Sequence, residues 1–164
     1  PEGIGLLEHI EALPSPAERI EAMAVVERHE LAGARGATWM PGAREAMHGL
    51  HARGTRIAIV TRNSRRAARL TMERLRMPAI PLKAREDAAP KPDPEALLSL
   101  AAEWDLAPAT CAYVGDFRYD IEAAERAGML PVLYRVEGAS AEVPGRGVQV
   151  LSDFIEILDW PTHP

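Results

Sequence analysis

At 164 residues the chain has room for one globular domain with a core and a small appendage, and not for a second large domain. Its composition, 47% hydrophobic and 26% charged, excludes a disordered tract or a fibre, and a net charge of −5 with arginines spread among glutamates argues against a nucleic-acid surface. No apolar run approaches the roughly 20 residues that span a bilayer, and the opening PEGIGLLEHI lacks the basic head of a signal peptide, so a soluble, cytoplasmic protein is expected.

In chain order, Ile4, Leu7 and Ile10 mark a short amphipathic helix that ends before Pro14. Ser15-Pro16-Ala17-Glu18 is a helix start, with a capping serine, a proline in the first turn and a glutamate three residues after the cap, and predicts a second helix to about Leu31. AGARGATWMPG, with three glycines and a proline, reads as a hinge between this helical piece and the main domain. Pro41 then opens a helix through REAMHGLHAR that Gly54 closes. RIAIV, Arg56 to Val60, has the composition of a fully buried strand. The order repeats: SRRAARLTMERLRM as helix, AIPL as strand, DPEALLSLAAEWDL as helix with Asp93 as cap. CAYVG is the next strand, DIEAAERAG a helix closed by Gly128, PVLYRV a strand, and VQV leads into SDFIEIL with Ser152 as cap. Helices alternating with short apolar strands predict an α/β fold, a doubly wound parallel sheet covered on both faces. The single cysteine, Cys111, lies in the apolar run CAYV; it excludes an internal disulfide, fits a reducing compartment and reads as a small buried hydrophobe.

Ligands of open parallel sheets sit beyond the carboxyl ends of the strands, which directs attention to Thr61-Arg62-Asn63-Ser64 after RIAIV and to Gly115-Asp116 after CAYVG. Asp116 and Asp120 are four residues apart, so both carboxylates can face one spot above the sheet, where they would repel unless a cation joined them. A hard divalent ion, Mg²⁺ above all, fits that need; the plainer alternative makes Asp116 a turn residue and Asp120 a helix-start residue. The Thr61 hydroxyl, with free backbone N–H groups behind it, suits a phosphate oxygen, or else it serves as a turn residue. Lys91, pinned between Pro90 and Pro92, is either an ammonium aimed at a site or a solvated lead-in to the next helix. His48 and His51, three apart on a helix with no third ligand nearby, read as surface residues.

In order and spacing these pieces resemble the haloacid dehalogenase superfamily: IAIVT for its second motif, REDAAPKPDPEALL for its third, and YVGDFRYD, a GDxxxD segment, for its fourth. MPGAREAMHGLHARG also resembles the helix that precedes the second motif in the helical-cap branch, and the neighbours suggested are phosphoglycolate phosphatase-like. The resemblance implies a Rossmann-like core over residues 38–164 and a small helical cap over residues 1–37. It further implies Mg²⁺-dependent hydrolysis of a small phosphomonoester through an aspartyl-phosphate. Thr61 would bind the transferring phosphoryl group, Lys91 would offset charge on nucleophile and phosphate, Arg62 and Asn63 would face the substrate, and Asp116 with Asp120 would hold the Mg²⁺. Arg62 either binds a second anionic group on the substrate or lies in solvent with Arg65, Arg66 and Arg69. A small phosphorylated substrate is the expected partner, with room for a homodimer and none for nucleic acid or membrane.

The family's first motif, a strand followed by DxDGT that carries the nucleophile, has no counterpart: the seven aspartates are 87, 93, 105, 116, 120, 153 and 159, and no two are separated by one residue. The resemblance places that strand centrally, between RIAIV and CAYVG, and so in a segment upstream of residue 1. Two other readings stand beside the phosphatase: a non-catalytic protein that kept the fold to bind phosphate and Mg²⁺, and a haloacid dehalogenase, which needs no magnesium.

Overall fold

The structure, a computed structural model, describes residues 6–135 and 147–160. Ile4 of the first expected helix and Val136 of the expected strand PVLYRV lie outside the described residues. Helix α1 spans Leu6–Glu11 and α2 spans Pro16–Gly36, the latter capped as expected by Ser15, whose hydroxyl accepts from the Glu18 N–H at 3.4 Å. Helix α2 runs on through Ala32–Gly36, which the sequence had suggested for a hinge. Leu31 and Ala34 pack there on Ala67 and Leu70, and this burial outweighs the roughly 1 kcal/mol that each glycine costs inside a helix.

After α3 (Ala43–Ala52), strand β1 (Ile59–Val60) runs parallel to β2 (Leu82–Lys83), with α4 (Arg65–Arg74) between them. Helix α5 (Glu95–Glu103) follows; its cap position is taken by Pro94 and not, as expected, by Asp93, whose carboxylate accepts from the Glu95 N–H at 2.9 Å from one residue earlier. Strand β3 (Ala112–Gly115), α6 (Arg118–Ala127), β4 (Leu130–Tyr134) and β5 (Gln149–Leu151) complete the core, and β3, β4 and β5 pair in parallel in that order. The last expected helix is a 3-10 segment, Phe154–Asp159, and its cap is Asp153 and not Ser152: the Asp153 carboxylate accepts from the Ile155 N–H at 2.9 Å.

One side of the core is rich in alanine, with Ala101, Ala123, Ala124 and Ala127 buried around Leu97 and Met129, so α5 and α6 lie close against the strands. Val60, Cys111 and Tyr113 pack on this cluster, which gives the cysteine its expected place as a small apolar side chain. Val132, Tyr134 and Leu151 form a second cluster with Phe154, Ile157 and Trp160, where the rings of Tyr134 and Phe154 stack at 4.5 Å. Every strand pairing among the described residues is parallel, and α4, α5 and α6 connect β1 to β2, β2 to β3 and β3 to β4, as an α/β fold requires. The sheet is nonetheless in two pieces, because among the described residues β1 and β3 share no backbone pairing. RIAIV, expected to be fully buried, is half-buried in its last four residues and paired over Ile59–Val60 alone. The gap between the pieces falls where the resemblance puts the family's first strand.

Candidate functional site

The loop after β1 is built by hydrogen bonds before any side chain is considered. The Thr61 N–H donates to the Lys83 carbonyl at 2.9 Å, which keeps Thr61 in register with β2, and the Arg85 N–H donates to the Asn63 carbonyl at 3.1 Å. The Thr61 hydroxyl accepts from the Asn63 N–H at 3.2 Å. Ser64, buried, caps α4 by accepting from the Ala67 N–H at 3.3 Å. Of the backbone N–H groups expected to be free behind Thr61, those of Asn63, Ser64 and Arg65 are therefore in use. Ser64 donates its N–H to Glu30 at 3.0 Å and Arg65 donates to Glu86 at 3.0 Å, because the uncompensated donors of a helix start attract carboxylates. Glu30, reaching down from α2, also pairs with Arg85, whose guanidinium in turn donates to the Arg62 carbonyl at 3.2 Å.

Lys91 is aimed, and its target is α6. Its ammonium donates to the Tyr113 hydroxyl at 3.0 Å and pairs with the Asp120 carboxylate. The Tyr113 hydroxyl donates to the same Asp120 oxygen at 3.2 Å, while the other carboxylate oxygen accepts from the Phe117 N–H at 3.1 Å. Asp120 is thus both a helix-start residue and the seat of the lysine, and it is 4% exposed. Gly115 makes room for it, since a Cβ there would overlap the Asp120 Cβ and Cγ. Burial, then the charge of Asp120 and its hydrogen bond, pushes the Tyr113 hydroxyl well above its ordinary pKa, and Asp116 adds to the rise. Asp116 itself is exposed at the end of β3, as is Asn63 after β1.

Thr61, Arg62 and Lys91 line one cavity of about 180 Å³, closed on the far side by Leu7, Glu8 and Glu11 of α1. Asn63, Asp116 and Asp120 are not part of its lining; Asp120 is joined to it through Lys91. A larger cavity of about 580 Å³ lies at Trp39, Arg44, His48, Arg74 and Arg76 and contains none of the expected site residues. It is a shallow surface groove, and His48 and His51 are exposed, in keeping with the surface reading of that pair.

Among the described residues no group of three or more His, Cys, Asp or Glu side chains is placed to hold a metal ion. The donor set still suits Mg²⁺, which commonly takes one or two carboxylates and fills its remaining positions with water and phosphate oxygens. Asp116 offers an open carboxylate, whereas Asp120 has both oxygens engaged and would act through water.

The sequence reading missed four residues that shape the site: Glu8, Glu30, Arg85 and Tyr113. Three of them act through ion pairs between distant segments, which no local pattern discloses. Tyr113 carried a signal, because it lies two residues before Gly115 and so on the same face of β3, the face that meets Asp120.

Residues 3–128 match the family model described as haloacid dehalogenase-like hydrolase. A haloacid dehalogenase-like hydrolase domain-containing protein of Arabidopsis thaliana is 31% identical over 134 residues, covering 81% of this chain and 54% of its own length, so the chain spans about half of that relative. Among solved structures, CbbY from Rhodobacter sphaeroides in complex with phosphate superposes with a TM-score of 0.77 at 19% identity, over 94% of this chain and 76% of its own. The D,D-heptose 1,7-bisphosphate phosphatase of B. bronchiseptica, complexed with magnesium and phosphate, gives 0.59 at 18% identity, over 73% and 81%. The likeness in structure establishes the Rossmann-like α/β fold, and on the family match and the Arabidopsis relative the chain belongs to the haloacid dehalogenase-like hydrolases.

Proposed function

We propose that this chain is the larger part of a Mg²⁺-dependent phosphomonoester hydrolase acting on a small phosphorylated metabolite. The observation that carries the reading is the sharing of one cavity by Thr61 and Lys91, with Lys91 seated on Asp120. The Thr61 hydroxyl donates to a phosphoryl oxygen and the Lys91 ammonium compensates its charge. Positioning and charge compensation of this kind are most of what phosphoryl transfer asks of a protein. Asp116, directly, and Asp120, through water, would hold Mg²⁺, which when bound supplies charge neutralisation at the phosphate. The magnesium and phosphate on the heptose bisphosphate phosphatase, and the phosphate on CbbY, support this by analogy of fold.

In the small helical cap proposed for residues 1–37, the described helices are α1, over the cavity, and α2, and the core begins near residue 38. The attacking aspartate belongs to a DxDGT segment that this chain lacks; in the full-length protein its strand fills the space between β1 and β3. The 164-residue chain by itself would release no phosphate. Release of inorganic phosphate from p-nitrophenyl phosphate by the full-length protein, assayed with Mg²⁺ and with EDTA, tests the reading. Turnover that requires Mg²⁺ is expected, and full turnover in EDTA or none in either condition would overturn it.

A further inference from the structure

The groove of about 580 Å³ beside α3 and the end of α4 is basic in an acidic chain. Arg44 and His48, four apart on α3, meet Arg74 and Arg76 from the end of α4, and no Asp or Glu lines it. The chain has 24 acidic residues against 19 Lys and Arg, and Arg62, Arg65, Arg66 and Arg85 all pair with carboxylates. Among the described residues, Arg44, Arg74 and Arg76 pair with none. Two of the three stand against local preference. Arg44 is in the first turn of α3, where the helix dipole disfavours a cation, and Arg76 holds the left-handed backbone (φ 51°) that glycine takes at least cost. Arg74 is anchored: its Nε donates to the Ala37 carbonyl at 3.0 Å, which fixes the guanidinium on the link between α2 and α3 and leaves its terminal N–H groups for a ligand. The apolar part of the lining is the half-buried Trp39, with Ala37 and Leu75.

We propose that this groove is a nucleotide-binding site, separate from the Thr61 cavity, in which the arginines hold the phosphates of a nucleoside triphosphate and Trp39 stacks on its base. Guanidinium forks match phosphate oxygens in pairs, and an indole face accepts any base. An inorganic anion would engage the arginines and leave Trp39 unused. The volume falls in the roughly 300 to 1,000 Å³ range of small-ligand sites, which admits one nucleotide, and a net charge of −5 opposes the longer track that a nucleic-acid strand would need. The inference stands apart from the phosphatase reading, since none of Thr61, Lys91, Asp116 and Asp120 lines this groove.

Binding of ATP, adenosine and inorganic tripolyphosphate to the full-length protein, measured by calorimetry in EDTA so that no Mg²⁺ is present to draw the nucleotide to Asp116, tests the proposal on wild type, Arg44→Gln, Arg76→Gly and Trp39→Phe. ATP should bind about fivefold or more tightly than tripolyphosphate, the contribution of one stacked base, and adenosine should bind most weakly. Arg44→Gln and Arg76→Gly should each weaken ATP binding by about three- to tenfold, the size of a charge-assisted hydrogen bond near the surface. Arg76→Gly should do so without lowering Tm, because glycine adopts this backbone freely, and so separates lost binding from lost folding. Quenching of tryptophan fluorescence by ATP should vanish in Trp39→Phe. No binding of ATP at millimolar concentration, equal affinity for ATP and tripolyphosphate, ATP binding that survives both arginine substitutions, or quenching that persists in Trp39→Phe would each overturn the proposal.

Discussion

Gly115 shows how closely the acidic residue of α6 is fitted to the end of β3. Because a Cβ at this position would overlap Asp120, Gly115→Ala should force the carboxylate away from Lys91 and cost about 1 to 3 kcal/mol, read by urea denaturation. An unchanged midpoint would mean that Asp120 does not pack there. Tyr113 yields a prediction with a definite sign. Its hydroxyl titrates above the ordinary value of 10.0 in the folded protein, so the stability it lends is complete below pH 10 and falls as the unfolded chain ionises above it. Tyr113→Phe should remove this part of the alkaline destabilisation, measured by urea denaturation as a loss of unfolding free energy between pH 9 and pH 11 that is smaller by about 1 kcal/mol. A drop equal to that of wild type would contradict the burial of the hydroxyl against Asp120. At this scale much was legible in the sequence, because strand ends and proline-flanked lysines are local features. That a tyrosine would sit between Lys91 and Asp120 was not, since it depends on three segments meeting.

Among the elements, α2 and the start of α3 respond to glycine in opposite ways. Gly33 is exposed inside α2 and has nothing within 4 Å of where a Cβ would lie, so Gly33→Ala should raise stability by about 0.4 to 1 kcal/mol. Gly42 has φ 66° and its Cβ would overlap the Asp153 carboxylate that caps the last 3-10 segment, so Gly42→Ala should destabilise. Parallel chemical denaturation of the two variants checks both signs, and the same sign for both would contradict the backbone described here. The elements themselves were readable from caps and periodicity: Ser15 and Gly128 act at the helix ends expected of them, and the Asp93 carboxylate bonds the first turn of α5. Element lengths were less so. Helix α2 outran its glycines through packing on α4, and RIAIV pairs over two residues alone, with β2 as its strand partner among the described residues.

For the whole molecule the decisive feature is the break in the sheet between β1 and β3. Ile59 and Thr61 donate toward β2 and the Cys111 carbonyl accepts from β4, so by alternation the amides of Val60 and Val114 point into the break. Hydrogen exchange at these two amides should be fast in this chain and slow, by about two orders of magnitude or more, once a central strand is supplied in the full-length protein. Equal rates in both would contradict the central position of that strand. The α/β class followed from the alternation of helices and apolar runs, whereas the division of the sheet was visible only through the lack of a DxDGT segment and became a structural fact in the pairing.

The central claim, that Thr61, Lys91 and Asp116 serve one bound phosphate, is tested most directly by a crystal structure of the full-length protein with Mg²⁺ and inorganic phosphate. The prediction is a phosphate held by the Thr61 hydroxyl and the Lys91 ammonium, with the metal on the Asp116 carboxylate. A phosphate bound instead in the groove of Arg44, Arg74 and Arg76, with the Thr61 cavity holding only water, would contradict it.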